Sequence, residues 1–317
     1  MPTVKVIAPA KVNLFLGIGS ARADGFHGVD TVMHSLLLHD VVTVQTGLEV
    51  RDTWVPVDGM PDFYVRVTCE VHGGVEDLQI PAEKNIVYKA AVMLAQAFDM
   101  NPVETVWINI DKNIPHGGGL GGGSADAAAT LVALCHLWSI DVNNERVWRV
   151  ASELGADVAF FLQGGCARMS GKGEVLEANL TPAHSCVLLV RPDAGVSTPQ
   201  AYRAFDEDPI VMSEEILADV KSATDASHVA LYNNMAPAAE KLLPELGEVR
   251  TWLSEQDGIM RNEAGEPQIL LCGSGSTSFA LCESHDVACA LSSEAKKKGW
   301  WSRVTSLSSA KAARLPR

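Results

Sequence analysis

Pro115 to Ala129 reads PHGGGLGGGSADAAA, and this stretch limits what the chain can become. Gly117 to Gly123 places six glycines in seven positions. Such a backbone reaches positive φ without a side-chain clash and lets a ligand approach closely. The loop runs into an alanine-rich segment, from about Ser124 to Trp138, whose composition predicts a helix. Loop amides and the positive end of that helix then converge on one place, which suits a phosphate chain. A plain strand–helix turn needs about one or two glycines, far fewer than this.

Two common phosphate loops do not fit. Gly117, Gly119 and Gly122 satisfy GxGxxG, but a dinucleotide-binding unit follows its helix with a buried strand that ends in an acid. Here a second predicted helix, about Asn144–Leu154, follows, and Asp141 falls in a turn. A Walker A lysine is also missing: Gly165 to Lys172 has one residue too many, and Gly173 comes next. The loop must therefore rely on other residues to neutralise phosphate.

Composition narrows the field further. The chain has 317 residues and a net charge of −14, a poor prior for nucleic acid or an anionic membrane surface. An anionic ligand must be held by a local site. Seven cysteines, an odd number without a CxxC pair, predict free thiols in a reducing cytoplasm. The nine histidines form no HExxH or Hx3H pair, so no structural metal is expected. Lys5 and Lys11 interrupt the apolar N-terminal run, and the segment Ala127–Ile140 is too short to span a bilayer.

Apolar patterning predicts an extended segment over 3–18 broken at Ala8–Ala10, strands near 30–48, Phe63–Val71 and Val106–Ile110, and a helix over Asn85–Met100. Residues 157–177 read as glycine-rich and mixed. Later come a buried strand at Ser185–Arg191 and helices over Pro199–Phe205, Ser213–Ser222 and Ala236–Ser254. Gln268–Cys282 reads as strand, turn and strand; a helix over His285–Lys298 and a strand over Trp301–Leu307 close the pattern. Irregular alternation of this kind gives an α+β fold. The length predicts two domains, 1–168 and 169–317, without an evident linker.

Other motifs stand around the loop. PAKVNLFLGI, Pro9 to Ile18, sets Lys11 inside an apolar run, where a lysine is costly to bury unless paired. RADGFHG, Arg22 to Gly28, carries a turn followed by Phe26 and His27. LGADVAFFLQGG, Leu154 to Gly165, puts Asp157 at the edge of an apolar segment. LLCGSGSTSFAL ends the series, with Gly273, Ser274, Gly275 and Ser276 forming a Gly/Ser turn. Taken singly, each has a plain structural reading: gatekeeper, surface histidine, helix cap or hairpin.

In this order and spacing the motifs resemble the GHMP kinase superfamily, closest to the branch that acts on a cytidine-diphosphate-linked methylerythritol. The likeness runs from Pro9 to Phe279, and GVSTPQAY, Gly195 to Tyr202, belongs to it. It implies an N-terminal nucleotide domain with a left-handed βαβ crossover, a ferredoxin-like C-terminal domain, and a cleft between them. Implied too are ATP and Mg²⁺, a small-molecule substrate, and transfer of the γ-phosphoryl to a tertiary hydroxyl of the non-mevalonate isoprenoid pathway. A monomer or homodimer is expected.

By that resemblance Asp157 is the base and Lys11 its partner. Pro115, Gly117, Gly118, Gly119, Leu120, Gly121, Gly122, Gly123 and Ser124 bind ATP phosphates, with the Ser124 hydroxyl offered to phosphate or metal. Asn85 and Lys112 lie on the adenine side. Asn13 positions substrate, Phe26 and His27 hold the cytosine, Tyr202 adds to its wall, and Gly273 to Ser276 closes over phosphate. Phe26 stands where many relatives have tyrosine, and Asn233-Asn234 where Asn-Asp is expected. Another GHMP kinase, of the homoserine or mevalonate type, is the alternative, followed by a non-catalytic nucleotide-binding homologue.

Overall fold

The structure, a computed structural model, describes residues 1–21, 27–49, 54–100 and 102–316. β1 (Thr3–Ala21) and β2 (His27–Gly47) form a long antiparallel pair. The interruption expected at Ala8–Ala10 is a register shift between Pro9 and Lys11, not an end to the strand. A proline has no N–H for the ladder, so a bulge is where a strand tolerates one. β3 (Phe63–Val71), α1 (Ile86–Ala97) and β4 (Glu104–Lys112) follow, with β3 and β4 paired in parallel. Asn85 caps α1, its side chain accepting from the Val87 amide at 3.2 Å.

Next come α2 (Gly122–Leu137), α3 (Glu145–Leu154) and α4 (Ala156–Gln163). The alanines of α2 let it sink into the core: Ala125, Ala127, Ala128 and Ala129 are fully buried against the sheet and its neighbouring helices. β5 (Cys166–Ser170) and β6 (Val175–Leu180) form a hairpin whose first strand pairs with β2. Residues 157–177 thus hold a helix and two strands. Their glycines mark the turns, and the short apolar run of α4 lacks a readable period.

β7 (Cys186–Arg191) begins a second sheet. α5 (Thr198–Glu207), α6 (Glu214–Ser222) and the two-residue β8 (Tyr232–Asn233) follow; β8 returns to pair with β1. One helix was expected over Ala236–Ser254, but there are two, α7 (Ala236–Leu242) and α8 (Glu245–Ser254), parted at Leu243-Pro244. Proline removes a helical hydrogen bond and crowds the preceding turn. β9 (Ile269–Leu271), β10 (Ser278–Cys282), α9 (His285–Lys297) and β11 (Trp301–Ser306) complete the second sheet, and β12 (Ala313–Arg314) rejoins the first beside β1.

The second sheet runs β11-β7-β10-β9, all antiparallel, which is the strand order of a ferredoxin-like βαββαβ unit. Its central strand β7 is buried on both faces. Leu188 and Val190 pack under α8 and α9, while Val187 and Leu189 join Ala10, Val12 and Phe279 in a core shared with the first sheet. This explains why VLLV reads as an unbroken apolar run. Residue 168 falls inside β5, a strand of the first sheet, so the two sheets part between Leu180 and Cys186.

Candidate active site

The glycine loop is shaped by close backbone approaches. Gly119, at φ +74°, lies so near the Cys272 carbonyl that a Cβ there would fall 1.9 Å from the oxygen. A Cβ on Gly121, at φ +72°, would meet the Phe161 ring at 2.7 Å and the Lys11 stem at 3.1 Å. Gly117 is also at positive φ but has open space around it. The Gly273–Ser276 turn lies against this loop: Ser276 N donates to Gly117 O and Thr277 N to Gly118 O, both at 3.2 Å. Asn233 anchors the turn by donating to the Leu271 and Gly273 carbonyls at 2.9 and 2.8 Å. Arg191 donates to Ser276 Oγ at 3.1 Å and so brings a cation to the same turn.

Lys11 sits at the bulge of β1 with its amide donating to Leu120 O at 3.0 Å. Its ammonium donates to Asn13 Oδ1 at 2.7 Å and stands 3.5 Å from Asp157 Oδ2, in the first turn of α4. Asn13 in turn donates to Thr31 Oγ1 at 2.8 Å, and Thr31 to Phe15 O at 2.7 Å. The buried lysine is therefore paired, as its desolvation requires. Lys11, Asn13 and Asp157 line a cavity of ≈ 280 Å³ together with Gly119, Gly121, Gly273 and Tyr202. Thr31 completes the chain of hydrogen bonds; nothing in its sequence neighbourhood marks it.

This cavity opens into an outer one of ≈ 850 Å³, with Val29, Ala156, Lys172, Thr198 and Tyr202 common to both walls. His27 and Tyr202 face each other in the outer cavity, ring centroids 5.2 Å apart at 34°. Burial, and next the Asp157 charge, push the Tyr202 phenol above its usual pKa, so it stays neutral. Phe26 lies outside the described residues. Lys172 and Asp206 are wall residues that the sequence did not single out; they occupy ordinary loop and helix contexts.

On the other side of the glycine loop is a third cavity, ≈ 590 Å³, with Asn85, Lys112, His116, Gly123 and Asp126 in its wall. Val67, Ile86 and Ile110 make it partly apolar. Leu78 to Ile80 add to that wall. Lys112 is buried between two carboxylates, 2.5 Å from Asp40 and 2.6 Å from Asp126. Burial works against its charge, but the two acids outweigh it and raise its pKa. Asp126 goes up too, from burial first, with the second carboxylate adding to the effect. One cation thus serves two acids. Its Oδ1 is buried without a hydrogen-bond partner.

The comparisons with known proteins meet this geometry. The profile of the GHMP kinases N terminal domain matches residues 85–165. A 4-diphosphocytidyl-2-C-methyl-D-erythritol kinase of Nocardioides sp. is 38% identical over 301 residues, 92% of this chain and 93% of the relative. The chain belongs to the 4-diphosphocytidyl-2-C-methyl-D-erythritol kinase family. Another member of that family, from Desulfitobacterium hafniense, is 33% identical across 90% of this chain and 89% of its own. A crystal structure of 4-(cytidine 5'-diphospho)-2C-methyl-D-erythritol kinase superposes with a TM-score of 0.65 at 30% identity, covering 96% of this chain and 98% of the other. Homoserine kinase from Cytophaga hutchinsonii gives a TM-score of 0.68 at 19% identity, covering 99% and 98%; that likeness shows the fold alone. Membership of this kinase family carries ATP use with it. No described helix is long and apolar enough to cross a membrane.

Proposed function

We propose that this protein transfers the γ-phosphoryl of ATP to the 2-hydroxyl of 4-diphosphocytidyl-2-C-methyl-D-erythritol, as a cytoplasmic step toward isoprenoid precursors. The observation that carries the reading is the Lys11–Asp157 pair, 3.5 Å apart, in the cavity that joins the glycine loop to the His27–Tyr202 pocket. A tertiary alcohol is a crowded nucleophile, so the gain must come from positioning and from charge stabilisation. Asp157 Oδ2 accepts the hydroxyl proton as the oxygen attacks the γ-phosphorus. The Lys11 ammonium, held in place by Asn13, stabilises the developing alkoxide. Amides of residues 117–123 and of the 273–276 turn receive the β- and γ-phosphates, and Arg191 adds positive charge there.

The cradle fits a triphosphate, since Cβ atoms at Gly118, Gly119, Gly121 and Gly122 would each fall within 3.0 Å of a neighbour, leaving only bare peptide at the surface. Purine and ribose fit the third cavity, beside Asn85 and Lys112, where the unpartnered Asp126 Oδ1 awaits a polar group. Mg²⁺, shielding the phosphates, would be held by the Ser124 hydroxyl and by ATP itself. The cytidine end would occupy the outer cavity against Tyr202 and His27, with Lys172 midway, where a diphosphate lies.

An ADP-release assay tests the reading. With ATP and Mg²⁺, the cytidyl substrate should be phosphorylated, while homoserine and mevalonate should not. Equal turnover of a non-nucleotide alcohol would overturn it.

A further inference from the structure

β3 ends one side of the first sheet, and its outer edge is unpaired. The strand order runs β12-β1-β2-β4-β3, so Phe63–Val71 has a neighbouring strand, β4, on one side only. Peptide groups of alternate residues point to opposite edges of a strand. Asp62 O accepts from Glu104 N at 3.1 Å and His72 N donates to Lys112 O at 2.8 Å, so the even-numbered residues bond to β4. Phe63 turns both its groups the other way, to Val57 N and Met60 O. By the same alternation Val65, Val67, Cys69 and Val71 aim an N–H and a carbonyl at the free edge. Among the described residues these groups have no backbone partner there. Cys69 is exposed and Val67 and Val71 are half-buried, so no described residue seals the edge. Such a row of groups is a template for another strand.

The charges on this edge are placed symmetrically. Arg66 and Glu70 stand two residues either side of Thr68, and all three are exposed on one face of the sheet. Among the described residues neither charge has an opposite charge within ion-pair distance. The Arg66 guanidinium lies over the Trp54 ring, 5.1 Å from its centroid, and Glu70 stands opposite Asp111, another acid. We propose that β3 pairs with β3 of a second copy of this chain, antiparallel, about a two-fold axis at Thr68. Arg66 then meets Glu70 of the second copy, and by symmetry Glu70 meets Arg66. Val67 exchanges both backbone bonds with Cys69 of the second copy, and Val65 with Val71. The ladder stops there, because Phe63 is already bonded to its own turn. A lone charge guards an edge strand against pairing. Two opposite charges at equal distance from one residue do the reverse when the strand meets itself. Arginine can stack on an aromatic ring and bind a carboxylate at once, so Trp54 steadies the side chain without using up its charge.

The test is association in solution. A ladder this short belongs with small, transient interfaces, so analytical ultracentrifugation should show the wild-type chain passing from monomer to dimer between about 1 and 300 μM. Arg66→Glu sets like charges opposite each other at two symmetric places and should weaken the dimer about 10-fold or more. Combining Arg66→Glu with Glu70→Arg restores both pairs and should bring the dissociation constant back to within about 3-fold of wild type. Thr68→Cys reports the register. The two copies of this residue form a non-hydrogen-bonded pair with Cα atoms about 4.5 Å apart, within disulfide reach. Oxidised glutathione, itself reduced to two thiols, should then join the two chains into a covalent dimer on a non-reducing gel. The wild-type chain, whose Cys69 faces Val67 of the second copy, is the control. A wild-type chain still monomeric at about 300 μM, or an Arg66→Glu chain that dimerises as well as wild type, would overturn the proposal. So would a Thr68→Cys chain that cross-links no more than the control.

Discussion

Asp157 illustrates how little a single residue reveals in sequence and how much in place. On its own it reads as a helix-capping acid. In the fold it faces the one buried ammonium of β1, with Asn13 and Thr31 locked behind. A positioned base is worth roughly 10²–10⁴-fold. Asp157→Asn should therefore lose about that much in kcat while ATP affinity, measured by calorimetry, stays within a few-fold. An unchanged kcat would remove Asp157 from the reaction. Asn234 makes a complementary point. It stands where an aspartate was expected, yet its amide accepts from Ile18 N and donates to Ile18 O and Ile210 O, each at 2.9 Å. Aspartate could make only the first of these bonds, so the departure suits this chain's own packing.

At the scale of the element, the glycine loop ranks its own members. Gly117→Ala meets open space and costs only the left-handed strain, roughly 1 kcal/mol. Gly119→Ala adds that strain to an overlap with the Cys272 carbonyl, which belongs to the backbone and cannot swing aside. Gly119→Ala should thus lower the urea midpoint well beyond Gly117→Ala and abolish ATP binding; equal midpoints would contradict this packing. The loop and α2 were legible because glycine and alanine have few other uses in such density. The helix α4 was not, since an eight-residue helix whose run Val158–Leu162 is apolar throughout carries no periodic signal. β8 and β12 escaped notice for a different reason: two-residue strands exist only through their partner, β1. The break at Pro244 was readable, and a single helix across it overlooked what proline does.

Across the whole molecule, the C-terminal segment ties distant parts together. After β11 the chain crosses back, so that Gly165 N donates to Ala310 O at 3.1 Å, Ala312 N to Phe161 O at 2.9 Å and Leu315 N to Lys5 O at 2.8 Å. The first two brace the far end of α4, the helix that presents Asp157, and the third holds the segment to β1. Truncation after Ser308 should lower both the melting temperature and kcat. A truncated chain with wild-type kcat would show that α4 needs no such brace. His34 ties β2 to the segment that leads into the second sheet: Nδ1 donates to Ser35 O at 2.9 Å and Nε2 accepts from Ala183 N at 3.0 Å. Burial, helped by the His184 charge, lowers its pKa below the ordinary 6.5 despite the Ser35 carbonyl. The unfolded chain therefore takes up a proton at this residue before the folded one does. Stability should fall as pH drops below about 6.5 and level off once the folded-state pKa is passed. Urea midpoints between pH 5 and 8 should fall less steeply in His34→Gln; parallel slopes would refute the assignment. No motif announced either tie, because each joins residues far apart in the chain.

β1 carries Lys11 at its bulge and, near its far end, the Gly19 carbonyl that fixes the His27 ring. A single ribbon of peptide thus sets the separation between the chemistry and the handle by which a substrate is grasped. It works as a caliper: a molecule must be long enough to touch both jaws, and lengthening or shortening this ribbon by a residue would regauge the enzyme for a different length of cargo.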